Sequence, residues 1–574
     1  MDYVSTLPLF QSNEKDSCLV NRAVEAMSES GIEARGAVFT RREIVDFILD
    51  LVGYTPDKPL HTMRLLEPSF GQGDFIIPII QRLISAYRKE NISGDPFIHL
   101  RDAIKAVELH KTSFLETKKS ILYLLHQEGF SDEQSMALTD SWLIQGDFLL
   151  KPFDSTFDYV VGNPPYVRQE SIPAVLIAEY RKLYRTIFDR ADIYIPFIEK
   201  SLSHLAKGGS LGFICSDRWM KNRYGGPLRQ MIADNYHLKI YVDMVDTAAF
   251  QTDVSAYPAI TVITKEKSTR TIVCHKPVIE NKILKVLANT LLSKEEPDTE
   301  GPIKSLVNVV SGAEPWLIES YENITLVRRL ESLYPDLEKS GCKVGIGVAT
   351  GADEAFIGCY DEMDVEPDRK LPLVMTKDIQ TGMVEWHGCG IINPFADNGS
   401  LVDLKDYPKL RRYLEDRKDA ITKRHVARKA PSNWYRTIDR IYPELTTIPK
   451  LLIPDIKGKP NVVFEAGYLY PHHNLYYILS YEWDLKVLKA VMLSGIAQLF
   501  ISTYSIRMRG DYLRYQAQYL RRIRLPRWSD IPSDLKTQLI KAAENNDRAE
   551  CNTLVYSLYG LSEVERAIVE SYAD

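Results

Sequence analysis

Two consecutive prolines between an asparagine and a tyrosine, Asn163-Pro164-Pro165-Tyr166, are the residues of this chain best suited to do chemistry. They follow Gly162 and the apolar run Phe157–Val161 (FDYVV), which has the composition of a strand. Proline has no N–H and holds φ near about −65°, so the pair stops the strand and fixes the carbonyls around it. A rigid turn at the carboxyl end of a parallel strand is where open α/β sheets keep their ligands. This turn offers one side-chain amide, fixed backbone carbonyls and an aromatic face. Those parts can accept both hydrogens of an exocyclic amino group while its planar ring stacks on Tyr166. Asn-Pro also opens ordinary turns, so the rest of the chain has to decide.

Upstream, Glu67-Pro68-Ser69-Phe70-Gly71-Gln72-Gly73-Asp74-Phe75 sets a glycine-rich turn between a strand and a helix. Glycines there let the backbone approach a bound ligand closely. The dinucleotide fingerprint would need a third glycine at Ile76 and an acid about 20 positions on; the candidate acid, Glu108, stands further away. Glu67 at the turn would repel a pyrophosphate and suits a cationic ligand. Glu108, at the end of a second strand, is placed to accept hydrogen bonds from ribose hydroxyls. Asp147-Phe148, after a third, adds a carboxylate for an aromatic amino group and a ring to stack on.

The elements that must position these residues form a regular series. Met63–Glu67, Ala103–Glu108, Trp142–Gln145, Phe157–Val161, Ser210–Cys215, Leu238–Val242 and Pro258–Thr264 are short apolar runs separated by helix-like stretches, the pattern of a helix-covered sheet. Ile193–Leu205 has helical spacing and stops at Lys207-Gly208-Gly209. The expected fold class is therefore α/β with a seven-stranded sheet. After Thr264 the alternation fails, and Lys294–Gly301 reads as a loop near a domain boundary. Leu535–Ala543, near the end, reads as helix.

The whole chain has 574 residues, 45% apolar and 26% charged, with a net charge of −6, which excludes a disordered chain and implies at least two domains. That total conceals a pattern in the second half: residues 301–400 carry −8, 401–440 carry +6 and 501–530 carry +5. The seven cysteines are scattered singly, without metal-binding spacing, and fit reduced thiols in a cytoplasmic protein. His472-His473 reads as a loop pair, and no metal site is expected. Neither a signal peptide nor a membrane-spanning segment is evident.

Taken together, Glu67–Phe75, Gly146-Asp147-Phe148 and Asn163–Tyr166 resemble motifs I, III and IV of the adenine-N6 DNA methyltransferases, in the order of the gamma class of type II restriction–modification systems with Taq-type layout. Gly36-Ala37-Val38-Phe39-Thr40 resembles motif X, with Arg41 where the family usually has proline. Ser216–Met220 is similar to motif VI and Phe250–Tyr257 to motif VIII. The resemblance covers about residues 36–265 by motif, and in character also Pro454–Leu479 and Leu493–Arg527, which are similar to the family's recognition domain.

The resemblance implies a Rossmann-like class I methyltransferase domain followed by a mixed α+β target-recognition domain. The expected division is an N-terminal extension (1–35), a catalytic domain (36–300), a DNA-binding domain (301–530) and a C-terminal helical segment (531–574). It implies S-adenosyl-L-methionine held by Phe39, Thr40, Glu67, Gly71, Gly73, Phe75, Glu108, Asp147, Phe148 and Asn163. Catalysis falls to Asn163, Pro164, Pro165 and Tyr166, with Tyr166 and Phe250 stacking on a flipped adenine. The partner is double-stranded DNA, with a cognate restriction endonuclease acting separately, no membrane, and a monomer or weak dimer in a bacterial cytoplasm. Basic residues with interleaved aromatics suit DNA contact: Lys423, Arg424, Arg428, Lys429, Trp434 and Arg436 in one cluster, Arg507, Arg509 and Arg514 in another. Three other readings compete: a methyltransferase of a protein glutamine or an RNA base, a non-catalytic DNA-binding defence scaffold, and a nuclease built on Pro335–Lys339.

Overall fold

Each of the seven apolar runs becomes a strand of one sheet in the computed structural model, which describes residues 14–31, 38–245, 247–251, 258–293, 295–297, 302–318, 321–457, 461–505 and 513–573. The chain divides between Ser320 and Tyr321 into two compact units.

In the first unit the strands are β1 (Leu65–Glu67), β2 (Ile104–Glu108), β3 (Leu143–Gln145), β4 (Phe157–Gly162), β5 (Leu205–Ser216), β6 (His237–Asp243) and β7 (Pro258–Thr264). Their spatial order is β3-β2-β1-β4-β5-β7-β6, parallel except for β7, which runs antiparallel between β5 and β6. The order reverses at β1, so β1 and β4 are neighbours and the turns after both open at the same edge. Two apolar layers cover the sheet. Helices Arg42–Val52 and Ile76–Lys89 lie in one. Helix Tyr194–Ser203, inside the expected Ile193–Leu205, lies in the other. Helix Arg42–Val52 sits so close to β5 that a Cβ on Gly212 would stand 2.4 Å from Val52.

The sheet has nine strands rather than seven. β8 (Arg270–His275) pairs parallel with β6, and β9 (Ile303–Val307) pairs antiparallel with β8. β9 escapes the apolar-run criterion because it lies at the sheet's edge, where it buries Leu306 and exposes Lys304 and Val307, whereas β8 buries Thr271, Ile272, Val273 and Cys274 and is missed despite its apolar centre. The expected boundary at 300/301 thus falls just before a strand of the first unit. Helix Glu14–Ser28 also belongs to this unit, where Val20, Ala23, Val24 and Met27 pack on its core.

The second unit is α+β, as expected. Strands Cys342–Ile346, Leu475–Ser480, Lys450–Pro454 and Val463–Glu465 form an antiparallel sheet, and four shorter strands form another. Helices Ser533–Glu544, Arg548–Leu558 and Glu563–Ala573 pack on the buried helices Leu485–Leu493 and Gly495–Tyr504, so the C-terminal segment is part of this unit. Among the described residues no single helix is long and apolar enough to cross a membrane.

One ion pair is sealed in this unit. Lys450, fully buried on its strand, donates to Glu465 Oε2 at 2.5 Å, while Oε1 accepts the N–H groups of Gly467, Tyr468 and Leu469. Removing one member of a buried pair strands the other. Lys450→Met should cost about 3–5 kcal/mol in urea denaturation; an unchanged midpoint would show that the pair does not brace the sheet.

Candidate active site

The glycine turn after β1 is shaped by backbone conformation. Gly71 and Gly73 both adopt positive φ, +51° and +96°, a region open to glycine at little cost. A Cβ on Gly71 would meet nothing within 4 Å, whereas one on Gly73 would press on Thr117 and Ile77. Gly71 therefore faces open space and Gly73 serves the turn.

That open space is a cleft, lined by Phe39, Thr40, Glu67, Gly71, Phe75, Glu108, Asp147, Phe148, Asn163 and Pro165 among others. Nine of the ten residues expected around the cofactor thus share one cavity, all but Gly73. Ser69, from the glycine-turn motif, and Phe197, from the expected helix, line it as well, as do Met27, His110, Ile172 and Tyr180, which no sequence reading singled out. Met27 and Tyr180 come from helices outside every motif, so only the fold brings them there.

Four carboxylates surround this apolar-walled space. Glu67 is fully buried, its Oε2 has no hydrogen-bond partner, and burial with Asp74 and Glu108 nearby raises its pKa well above the usual carboxylate range. Asp74 accepts from Thr40 N at 2.8 Å, and burial raises its pKa too. Glu108 accepts from Gly71 N and His110 N, each at 2.8 Å, which holds the two turns together. Asp147 accepts from Leu149 N at 2.8 Å and from the Tyr180 hydroxyl; burial raises its pKa, and the Tyr180 bond opposes that rise. An anion would find this cleft repellent, while a cation would offset the cost of ionising Glu67.

The Asp147 turn is braced from below. Lys200, buried on helix Tyr194–Ser203, donates to the carbonyls of Phe148 (2.6 Å) and Lys151, and its ammonium lies 5.0 Å from the Phe148 ring centroid. Burial pushes Lys200 down to about 8. Tyr184 adds a bond to the Leu149 carbonyl. Phe148 itself is buried against Phe197, with centroids 5.0 Å apart, so its ring is as much core as cleft wall.

At the end of β4, Asn163 meets the segment that leads into helix Arg42–Val52. Its Nδ2 donates to Val38 O at 2.9 Å and to Thr40 Oγ1 at 3.2 Å, which leaves Oδ1 buried without a partner. Ser69, from the β1 turn, donates to the Asn163 carbonyl at 3.2 Å. Thr40 and Phe250 form a β-bridge, extended by Arg41 N to Ala249 O at 3.2 Å. A proline at 41 could not make that bond. The bridge brings Phe250 to Tyr166 with ring centroids 6.4 Å apart and planes at 84°, edge to face rather than parallel. The Tyr166 hydroxyl is buried without a partner, and burial raises its pKa. Gly36, Ala37 and Thr252–Tyr257 lie outside the described residues.

The expected DNA-contacting residues separate into two kinds. Lys423, Arg428, Lys429 and Arg436 are exposed and make no ion pair among the described residues. Arg424 is a correction: it is buried, with its guanidinium donating to the carbonyls of Ile421 (2.9 Å), Thr350 (2.6 Å) and Trp434 (3.0 Å). These three bonds tie three chain segments together, and the buried group is not accessible to a phosphate. Trp434 is half-buried, packing on Tyr435 and the local core. Arg514 is a second correction, paired with Asp455 where strands Ile456–Lys457 and Leu513–Arg514 meet. Arg507 and Arg509 lie outside the described residues. The acids of the nuclease reading are neutralised, Asp336 by Lys339 and Arg524 and Glu338 by Arg521. His472, the buried member of the histidine pair, bonds Asp353 at 3.1 Å; Asp353, His472 and His473 bring ligand atoms within 4.8 Å of one another, a grouping that this hydrogen bond accounts for.

A reversed-order, mostly parallel sheet with the antiparallel β7 set between β5 and β6, and an acid-lined cleft at the β1 and β4 turns, defines the class I S-adenosylmethionine-dependent methyltransferase fold. A family model, the Eco57I restriction-modification methylase, matches residues 82–250. The chain is 60% identical over 551 residues to the type II methyltransferase M.PaeR7I of Pseudomonas aeruginosa, covering 96% of each chain. It is 51% identical to the type II methyltransferase M.XhoI of Xanthomonas vasicola, covering 94% of this chain and 99% of that one. The solved type IIL restriction-modification enzyme MmeI in complex with DNA superimposes with a TM-score of 0.59 at 11% identity, over 98% of this chain and 78% of that one, a likeness of fold. This chain belongs to the type II methyltransferases of restriction–modification systems.

The distinction between the two kinds of arginine can be measured. Arg424→Ala should lower the thermal midpoint and cost about 2–3 kcal/mol, as removal of a charged buried donor does, while Arg428→Ala should leave the midpoint in place. Equal behaviour of the two variants would refute the separation.

Proposed function

We propose that this DNA methyltransferase moves a methyl group from S-adenosyl-L-methionine to the N6 amino group of an adenine rotated out of double-stranded DNA. The observation that carries the reading is Asn163: its amide N–H groups are engaged by Val38 and Thr40, and its Oδ1 is buried, unpartnered and beside the cleft.

An adenine amino group is a weak nucleophile because its lone pair is delocalised into the ring. Asn163 Oδ1 and the Pro164 carbonyl accept its two hydrogens, which draws the nitrogen toward tetrahedral geometry and turns its lone pair toward the cleft. Pro165 holds that carbonyl in place, so the site is organised before the base arrives. Tyr166 and Phe250 part to stack on the base, offsetting some of the few kcal/mol that extrusion costs. S-adenosylmethionine, when bound, supplies an electrophilic methyl on a positively charged sulfur. The residues fit it: Glu67 offers a buried unpartnered carboxylate oxygen, Gly71 leaves room for close approach, and Glu108, Asp147 and Phe148 suit a ribose and an adenine, with Phe39, Thr40, Gly73 and Phe75 shaping the walls. Lys423, Arg428, Lys429 and Arg436 supply phosphate contacts from the second unit.

Nucleoside mass spectrometry of DNA from cells expressing the chain should reveal N6-methyladenine. Asn163→Ala should lose at least about 10²-fold in kcat, the scale of one preorganised hydrogen-bond partner, with DNA affinity nearly intact. N4-methylcytosine instead, or comparable turnover in the variant, would overturn the assignment. Glu67, raised in the free protein, should lose its proton when a cation binds beside it. Cofactor affinity should therefore improve as pH rises toward the free-state pKa of Glu67, with proton release detectable by calorimetry in buffers of different ionisation enthalpy. Glu67→Gln should abolish that release; the same release in the variant would place its source elsewhere.

A further inference from the structure

The loop between helices Ala174–Leu183 and Tyr194–Ser203 is tied down by several hydrogen bonds yet carries an exposed phenylalanine. Phe188 is 40% exposed, and the Arg223 guanidinium lies 5.6 Å from its ring centroid. The loop is pinned on three sides. Thr186 donates from N (3.0 Å) and Oγ1 (2.7 Å) to Glu199, Gln169 donates to Asp189 O at 2.9 Å, and Ile193 N donates to Val167 O at 3.0 Å. Asp189 holds φ at +55°, a strained conformation for a residue other than glycine. A mobile surface loop would not need such bracing.

Its position is next to the proposed base site. Val167 directly follows Tyr166; Tyr194, just after the loop, has its ring 6.4 Å from that of Tyr166 and its hydroxyl 2.9 Å from that of Tyr224. The exposed charge around it is mainly basic, with Glu170 and Asp189 the exposed acids among it. Arg168, Arg185, Arg190 and Arg223 are exposed, and none makes an ion pair with a carboxylate among the described residues. Elsewhere in the same unit Arg41, Arg42, Arg82, Arg88, Arg101 and Arg270 are each matched with an Asp or Glu. Four guanidinium groups outside any such ion pair surround an aromatic tip, Arg168 also acting at longer range on Asp192, and this suits a polyanion with stackable rings.

We propose that this rim is a DNA contact of the catalytic unit: Arg168, Arg185, Arg190 and Arg223 bind phosphates flanking the target nucleotide, and Phe188 packs into the strand beside the rotated base. The proposal rests on the base-rotation reading above and adds to it the surface that holds the opened strand.

The full chain decides it in two arms. Binding of mixed-sequence duplex fragments, followed by fluorescence anisotropy across a potassium chloride series, should lose about 2–3 from the slope of log Kd against log salt in Arg185→Ala/Arg190→Ala/Arg223→Ala, at about 0.9 per phosphate contact. The corresponding triple lysine variant should keep the slope, which excludes a folding defect as the cause. With genomic DNA lacking the modification as methyl acceptor, Phe188→Ala should lower kcat/KM about tenfold, within the range of one lost base–aromatic stack, with the salt slope and cofactor affinity unchanged. A wild-type slope in the triple alanine variant, or wild-type turnover in Phe188→Ala, overturns the proposal. If the unaltered protein methylates no DNA, the reaction assignment fails instead, and the binding arm still judges the rim.

Discussion

Asn163 can present a bare oxygen only because its amide hydrogens are already engaged. Val38 and Thr40 take them, and that pairing fixes which end of the amide points into the cleft. Everything around it keeps the pairing in place. Thr40 is held by Asp74 from the glycine turn and by the β-bridge to Phe250, and the asparagine's own carbonyl is tied to Ser69. A buried acceptor without a partner is costly to keep. Three segments far apart in the chain are locked together at the point where that cost is borne.

The same edge of the sheet gathers carboxylates that would repel one another in an apolar space. Backbone N–H groups absorb part of the strain, since Glu108 accepts two and Asp147 one. Glu67 receives no such help at Oε2 and is pushed hardest toward its neutral form. The cleft is thus selective before any ligand arrives: a cation relieves the arrangement and an anion worsens it. Lys200, on the far side of the Asp147 turn, supplies the counter-support from within the core, using its donors on backbone carbonyls rather than on the acid.

Arginine serves four different ends in this molecule, and composition cannot separate them. Arg424 is a buried brace and Arg229 likewise spends its donors on carbonyls. Arg514 and Arg82 are paired with acids. Arg428 and Arg436 stand exposed, and Arg223 covers an aromatic ring. A count of net charge over a window registers all of these alike, which is why the +6 segment 401–440 contains both a candidate DNA contact and a structural pin.

Local pattern alone was enough to place the first seven strands, the turn after each of β1, β2, β3 and β4, and the residues carried on those turns, because a buried strand must be largely apolar and a tight turn must use glycine or proline. It was also enough to order them, since motif order follows chain order. It missed β8, although four of its residues are buried, and β9, whose exposed edge relaxes the demand for apolar residues; nor did it find Met27 and Tyr180, carried to the cleft by helices outside every motif, or the contact Lys200 makes with the Asp147 turn. The orientation of the Asn163 amide and the fate of each arginine were likewise decided only by tertiary structure. A side chain's chemistry is written in its type, but whether its donors and acceptors remain available depends on which distant groups the fold sets beside it.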